Sequence, residues 1–171
     1  MLNARNIFIF GLIAIATILR ILDILPYNFT PVAAIALFGG AMFSNRAIGF
    51  IAPLAIMFLS DLIIGLHPLM YAVYGSLLLI VLIGQFIKSN PTMLRAMGGA
   101  LAGSVLFYLI TNAAVWYGSV HYMQDFSGLI SSYIAGLPFF RGTLIGDLLF
   151  TAVFFGSYKF AEVKFPQLVK V

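Results

Sequence analysis

Residues 25–34 read LPYNFTPVAA. Two prolines, an asparagine and a threonine interrupt a chain that is otherwise almost continuously apolar. Proline inside a helix removes a hydrogen bond and clashes with the preceding turn, at about 3 kcal/mol. A first helix therefore stops near Leu25 and a second starts at Pro31, with Asn28 or Thr30 as its cap. The same residues also suit a tight loop that only joins two helices. Which reading holds depends on what other segments place at the same depth.

Working outward, the 171 residues are 63% hydrophobic and 8% charged. A soluble domain has about a quarter of its residues charged. Apolar runs recur from Ile7 to Tyr158, so residues 1–171 read as a single integral membrane domain. No small-residue cleavage site follows the first run, which reads as a retained helix rather than a signal peptide. There is no cysteine, so disulfides and thiolate metal sites are excluded. The net charge of +4 comes from basic residues at segment ends, a topology signal and not a nucleic-acid one.

The runs cover about 7–25, 31–43, 47–66, 69–87, 97–117 and 140–158. At about 1.5 Å per residue, the second cannot alone cross about 30 Å of hydrocarbon. It must be tilted, shielded by protein, or extended by the loop before it. Six crossings place Arg5, Arg46, Lys88, Arg95, Lys159, Lys164 and Lys170 on one side, and only Arg20 and Arg141 on the other. The basic side is the cytoplasmic one. The expected fold is thus an all-α six-transmembrane-helix bundle with both termini cytoplasmic and a short second helix. Residues 126–137 carry apolar side chains at 126, 129, 130, 133, 134 and 137. That pattern predicts an amphipathic segment in the outer interface before the sixth helix, either a lid or a plain connector.

The remaining polar residues share one depth. Arg20 and Asp23, Ser60 and Asp61, Tyr71 and Tyr74, Asn112 and Trp116, and Asp147 all fall in the outer parts of their helices, beside the Asn28–Thr30 break. Ionisable residues within a membrane cost about 2.5–3.5 kcal/mol each and usually face the bundle interior or a wet cavity. Ser104, Tyr108, Asn112 and Trp116 recur every four residues, as do Thr143, Asp147 and Thr151. Each set makes one stripe of its helix. The expectation is one outward-facing polar pocket for a small molecule, with Arg20, Asp23, Asn28, Thr30, Asp61, Tyr74, Asn112, Trp116, Arg141 and Asp147 as ligand-binding residues. The start of the second helix would offer free backbone N–H groups to it. Four aspartates (Asp23, Asp61, Asp125, Asp147) against two arginines lean toward a cationic or zwitterionic ligand. Tyr71, Tyr74, Tyr108 and Trp116 could stack on it.

Other motifs carry less. Gly99 and Gly103, and Ala36 and Gly40, have the spacing that lets membrane helices pack closely. His67 and His121 lack a paired metal-ligand spacing, and no cofactor motif, Walker A loop or G-x-S-x-G element is present.

The blocks NFTPVAAIALFGGA (28–41), PLAIMFLSDLIIG (53–65), LITNAAVW (109–116) and GLPFFRGTLIGDLLF (136–150) resemble those of an uncharacterised bacterial family of small membrane proteins, a domain of unknown function. The likeness runs from about Arg20 to Gly156. That family more distantly resembles the S components of energy-coupling-factor transporters. The resemblance implies a bacterial inner-membrane, multi-pass protein that binds a vitamin-like or cationic substrate near its outer face. It also implies partners, namely a membrane coupling protein and ATPase subunits. S components often dock through an Ala-x-x-x-Ala pair in the first helix, where this chain has Gly11, Ala14 and Ala16. Three readings follow: a non-enzymatic capture subunit for uptake; an intramembrane enzyme using Asp61 and Asp147, with His67, as acid–base groups; and a structural bundle locked by Arg–Asp pairs.

Overall fold

A computed structural model describes residues 4–22, 24–26 and 28–166. Among them the chain is all-helical: α1 (Ala4–Ile21), α2 (Val32–Met42), α3 (Arg46–Ile64), α4 (Met70–Ile87), α5 (Met93–Trp116) and α6 (Phe126–Lys164). Five of the helices are long and apolar enough to cross a membrane. Their outward faces carry Ile7, Ile51, Phe86, Leu94 and Leu149, all exposed. A continuous apolar exterior of this kind suits lipid and not water.

The exception, α2, has 11 residues and a length of about 16 Å. It is apolar on every side, the signature of a helix that is buried all round. Each residue from Ala33 to Met42 is buried, and the other five helices all pack against it. Shielding by protein is therefore how the short second segment is accommodated. The shield is tight because α2 is rich in small residues. A Cβ on Gly84 of α4 would fall 2.3 Å from the Leu37 carbonyl oxygen, and one on Gly40 would fall 2.4 Å from that of Val81. Backbone meets backbone along this seam. Leu37 and Ile80 fill the space facing Gly99 and Gly103 of α5.

Two expectations about boundaries change. α1 ends at Ile21 rather than Leu25, and residues 28–30 are extended or turn-like. The residue before a proline avoids the helical region, which disfavours carrying helix up to Pro26. The separate amphipathic segment is also corrected. Residues 126–137 and 140–158 lie in one 39-residue helix, α6, that continues through Pro138. At about 58 Å it is far longer than a bilayer core. Its first half packs on α5 through Gly136, Ser132 and Tyr133, while the apolar Phe126, Ile130, Ile134 and Leu137 stay exposed. Tyr108 donates to the Tyr133 carbonyl at 2.5 Å, Tyr133 donates to that of Leu109 at 3.2 Å, and the Tyr108 ring lies 4.7 Å from that of Phe140.

The last carbonyls of α2 are closed by cations. Arg5 Nη2 donates to Met42 O at 2.8 Å. Lys88 Nζ donates to Phe43 O at 2.5 Å and Ser44 O at 2.7 Å. Positive charge at a helix C-terminus is favourable and satisfies carbonyls that have no intrahelical partner. The opposite end of α2 is built differently.

Candidate functional site

At its start α2 has no side-chain cap: Pro31 occupies the N-cap position, and neither Asn28 nor Thr30 bonds to the helix. The expected capping is thus corrected. Proline fixes the backbone at the entry, and the negative group comes from another helix. Asp147 of α6 is 1% exposed, and the Ala33 and Ala34 amides face its carboxylate. Oδ2 accepts from Ser104 Oγ of α5 at 2.6 Å. Oδ1 is buried with no hydrogen-bond partner. Gly146 makes this approach possible, since a Cβ there would sit 3.1 Å from the Thr30 nitrogen. Asn28 shapes the facing loop with a φ of 58°, a left-handed conformation that asparagine tolerates well.

Beside this junction lies a recess of about 180 Å³, lined by Arg20, Asn28, Thr30, Thr143 and Asp147 among others. Asn28, His67, Phe107 and Thr143 also line a larger cavity of about 620 Å³. The two lie side by side and share these walls. The larger cavity adds Tyr108, Thr111, Asn112, Phe139 and Phe140. Its size is that of a small-molecule site, with apolar walls and a few convergent polar groups.

Arg20, Asp61 and Tyr74 form a second constellation. Arg20 Nη2 bonds Asp61 Oδ1 at 2.5 Å, and its Nη1 donates to Ser60 Oγ. Tyr74 donates to Asp61 Oδ2 at 2.6 Å. Both carboxylate oxygens are therefore taken, and α1, α3 and α4 are tied together. The side chain of Asp61 is 3% exposed against 17% for Arg20. Only the arginine reaches the recess wall.

The expected site residues thus divide. Asn28, Thr30, Asp147 and Arg20 border the recess, and Asn28 and Asn112 the larger cavity. Asp61 and Tyr74 line neither, because they are spent on Arg20. The expected convergence of Asp61 with Asn112 and Asp147 is corrected accordingly. Trp116 is also displaced from the site: its indole donates to Met123 O at 2.8 Å, and Gln124 Nε2 donates to its carbonyl, fastening the turn after α5. Tyr71 and Arg141 are exposed and outside the lining. Asp23 lies outside the described residues. Phe107, Thr111, Phe139 and Phe140 were not anticipated. Phe107 and Thr111 each sit one residue before a member of the Tyr108–Asn112 stripe, so widening that stripe to a full helix face would have found them. His67, which looked like an ordinary loop histidine, stands at the cavity wall.

Residues 1–168 match a family of unknown function, DUF6580, and the chain belongs to that family. Comparison with curated proteins returns no match, and neither does comparison with solved structures.

Proposed function

We propose that this DUF6580 member is a membrane-embedded capture subunit that takes up a small water-soluble molecule. The observation that carries the reading is the cavity of about 620 Å³ next to a recess lined by the buried Asp147, one of whose oxygens has no hydrogen-bond partner. Natural bundles rarely leave a charged group unsatisfied at depth without a use for it. A purely structural bundle accounts for Arg20 and Asp61, whose contacts close on one another. It accounts for Asp147 only in part: the carboxyl group serves the start of α2 and Ser104, but Oδ1 is left without a partner. A two-carboxylate enzyme is poorly served, because Asp61 has both oxygens bound and stands apart from the cavity.

In this reading the cavity opens outward and both chain ends are cytoplasmic, in keeping with the bias of basic residues. Transfer inward then needs partners, a coupling protein with ATPases, since this sequence carries no nucleotide-binding loop. Reporter fusions after Ser89 and after Gln124 should read cytoplasmic and extracytoplasmic respectively. A screen of water-soluble metabolites by thermal shift in detergent tests capture itself. A true ligand raises the melting temperature saturably. A broad screen with no saturable shift would contradict the proposal.

A further inference from the structure

We infer that the recess beside α2 takes the protonated amino group of a small organic cation, seated on Asp147 Oδ1, with an aromatic or apolar body in the larger cavity. The inference rests on the capture reading and names its substrate class.

The argument is one of charge and free valence. Arg20 lines the recess, but its two Nη atoms are bonded to Ser60 and Asp61, and Asp61 balances its charge. Asp147 has no such partner: among the described residues the only ion pairs are Arg20–Asp61 and Lys159–Glu162. The start of α2 offers about half a positive charge to the carboxylate. Ser104 supplies one hydrogen bond. These hold the carboxyl group in place, and Oδ1 has no hydrogen-bond partner. An anionic ligand group would be repelled there, because Asp147 already occupies the helix start that would otherwise attract it. A neutral donor could bond Oδ1 but would do nothing to hold the carboxyl group in its ionised form in a low-dielectric site. An ammonium does both. The recess of about 180 Å³ has room for an amino group and a small body, since a cavity of about 150 Å³ holds a benzene ring. A larger body would extend past Phe107 and Thr143, the walls shared with the larger cavity, which Tyr108, Phe139 and Phe140 also line. Aromatic faces suit a flat apolar body and add cation–π attraction to a positive group.

Three matched probes separate charge from shape: phenethylamine, phenethyl alcohol and phenylalanine. Each is titrated against the purified full chain in detergent, with thermal shift and equilibrium binding as readouts. Phenethylamine should bind saturably, at least about tenfold more tightly than either other probe. The Asp147→Asn variant should lose about that factor for the amine and change little for the alcohol. The wild-type comparison needs no variant, so it decides the matter even if Asp147→Asn fails to fold. Preference for the alcohol or for phenylalanine would overturn the amine assignment while leaving capture intact. So would unchanged amine affinity in Asp147→Asn. Binding of none of the three probes would also overturn it, and the broad metabolite screen would then judge capture on its own.

Discussion

The two ends of α2 face the same physical problem and meet it in opposite ways. Each end of a helix leaves backbone groups without intrahelical partners. At the C-terminal end, Arg5 and Lys88 reach in from α1 and from the end of α4 and bond the carbonyls of Met42, Phe43 and Ser44 directly. At the N-terminal end, Asp147 faces the Ala33 and Ala34 amides but keeps one oxygen unbonded, next to an open recess. The carbonyls of the first end are bonded from within the protein, although Arg5 Nε has no hydrogen-bond partner and a groove of about 720 Å³ lined by Ser44, Arg46 and Lys88 lies beside them. The second keeps a buried carboxyl oxygen without a partner beside a recess inside the fold. Local chemistry of the first kind serves stability; local chemistry of the second kind costs stability and suits a ligand.

The comparison can be sharpened by substitutions on each side. The largest loss is expected at the lock beside the recess. Asp61→Ala leaves Arg20 buried without its carboxylate and should cost about 3–5 kcal/mol. The double variant Arg20→Met with Asp61→Leu should recover most of that loss in thermal unfolding, since no charge is then stranded. If the double variant is no better than Asp61→Ala, the pair does more than tie helices. Next comes the seam that holds both ends in register. Gly84→Val drives a side chain into the Leu37 carbonyl and should cost on the order of 3 kcal/mol, read as a lower melting temperature and poorer yield.

A smaller effect belongs to the closed end. Lys88→Met removes a charged donor from two carbonyls and should cost about 1.5–3 kcal/mol, with ligand affinity unchanged. Ser104→Ala should cost least, about 1 kcal/mol in stability. It acts at the open end, however, and frees the second oxygen of Asp147. It should therefore change ligand affinity where Lys88→Met does not. Equal effects on affinity from the two would erase the distinction between the ends.

Much of this arrangement was legible in the sequence. The stripe Ser104, Tyr108, Asn112 and the stripe Thr143, Asp147 do face each other across α5 and α6, because period-four spacing fixes a face of a helix. The shortness of the second segment and its small residues pointed to a shielded helix. Sequence could not say which carboxylate Arg20 would choose. Asp23 is nearer in the chain than Asp61, and the choice of Asp61 depends on how α1 meets α3. Nor could it show that Trp116 turns away to hold the Met123 carbonyl, since a single residue at the end of a stripe can serve the turn beyond it. The continuity of α6 escaped because Pro138 reads locally as a break. The packing of Tyr133 and Gly136 along α5 outweighs that local preference.

The central claim is that the N-terminal end of α2 borders a wet recess holding an acidic side chain, while the carbonyls of the C-terminal end are bonded by Arg5 and Lys88. The chain has no cysteine, so single cysteines can be introduced and probed without background. Thr143→Cys lies on the wall shared by recess and cavity, and Met42→Cys lies buried at the C-terminal end of α2. Their rates of modification by a cationic and an anionic methanethiosulfonate reagent are the direct measurement. The account predicts that Thr143→Cys reacts readily, about tenfold faster with the cationic reagent, and that adding Asp147→Asn removes the preference. Met42→Cys should stay protected from both reagents. A protected Thr143→Cys, or one with no preference for the cation, would contradict the account.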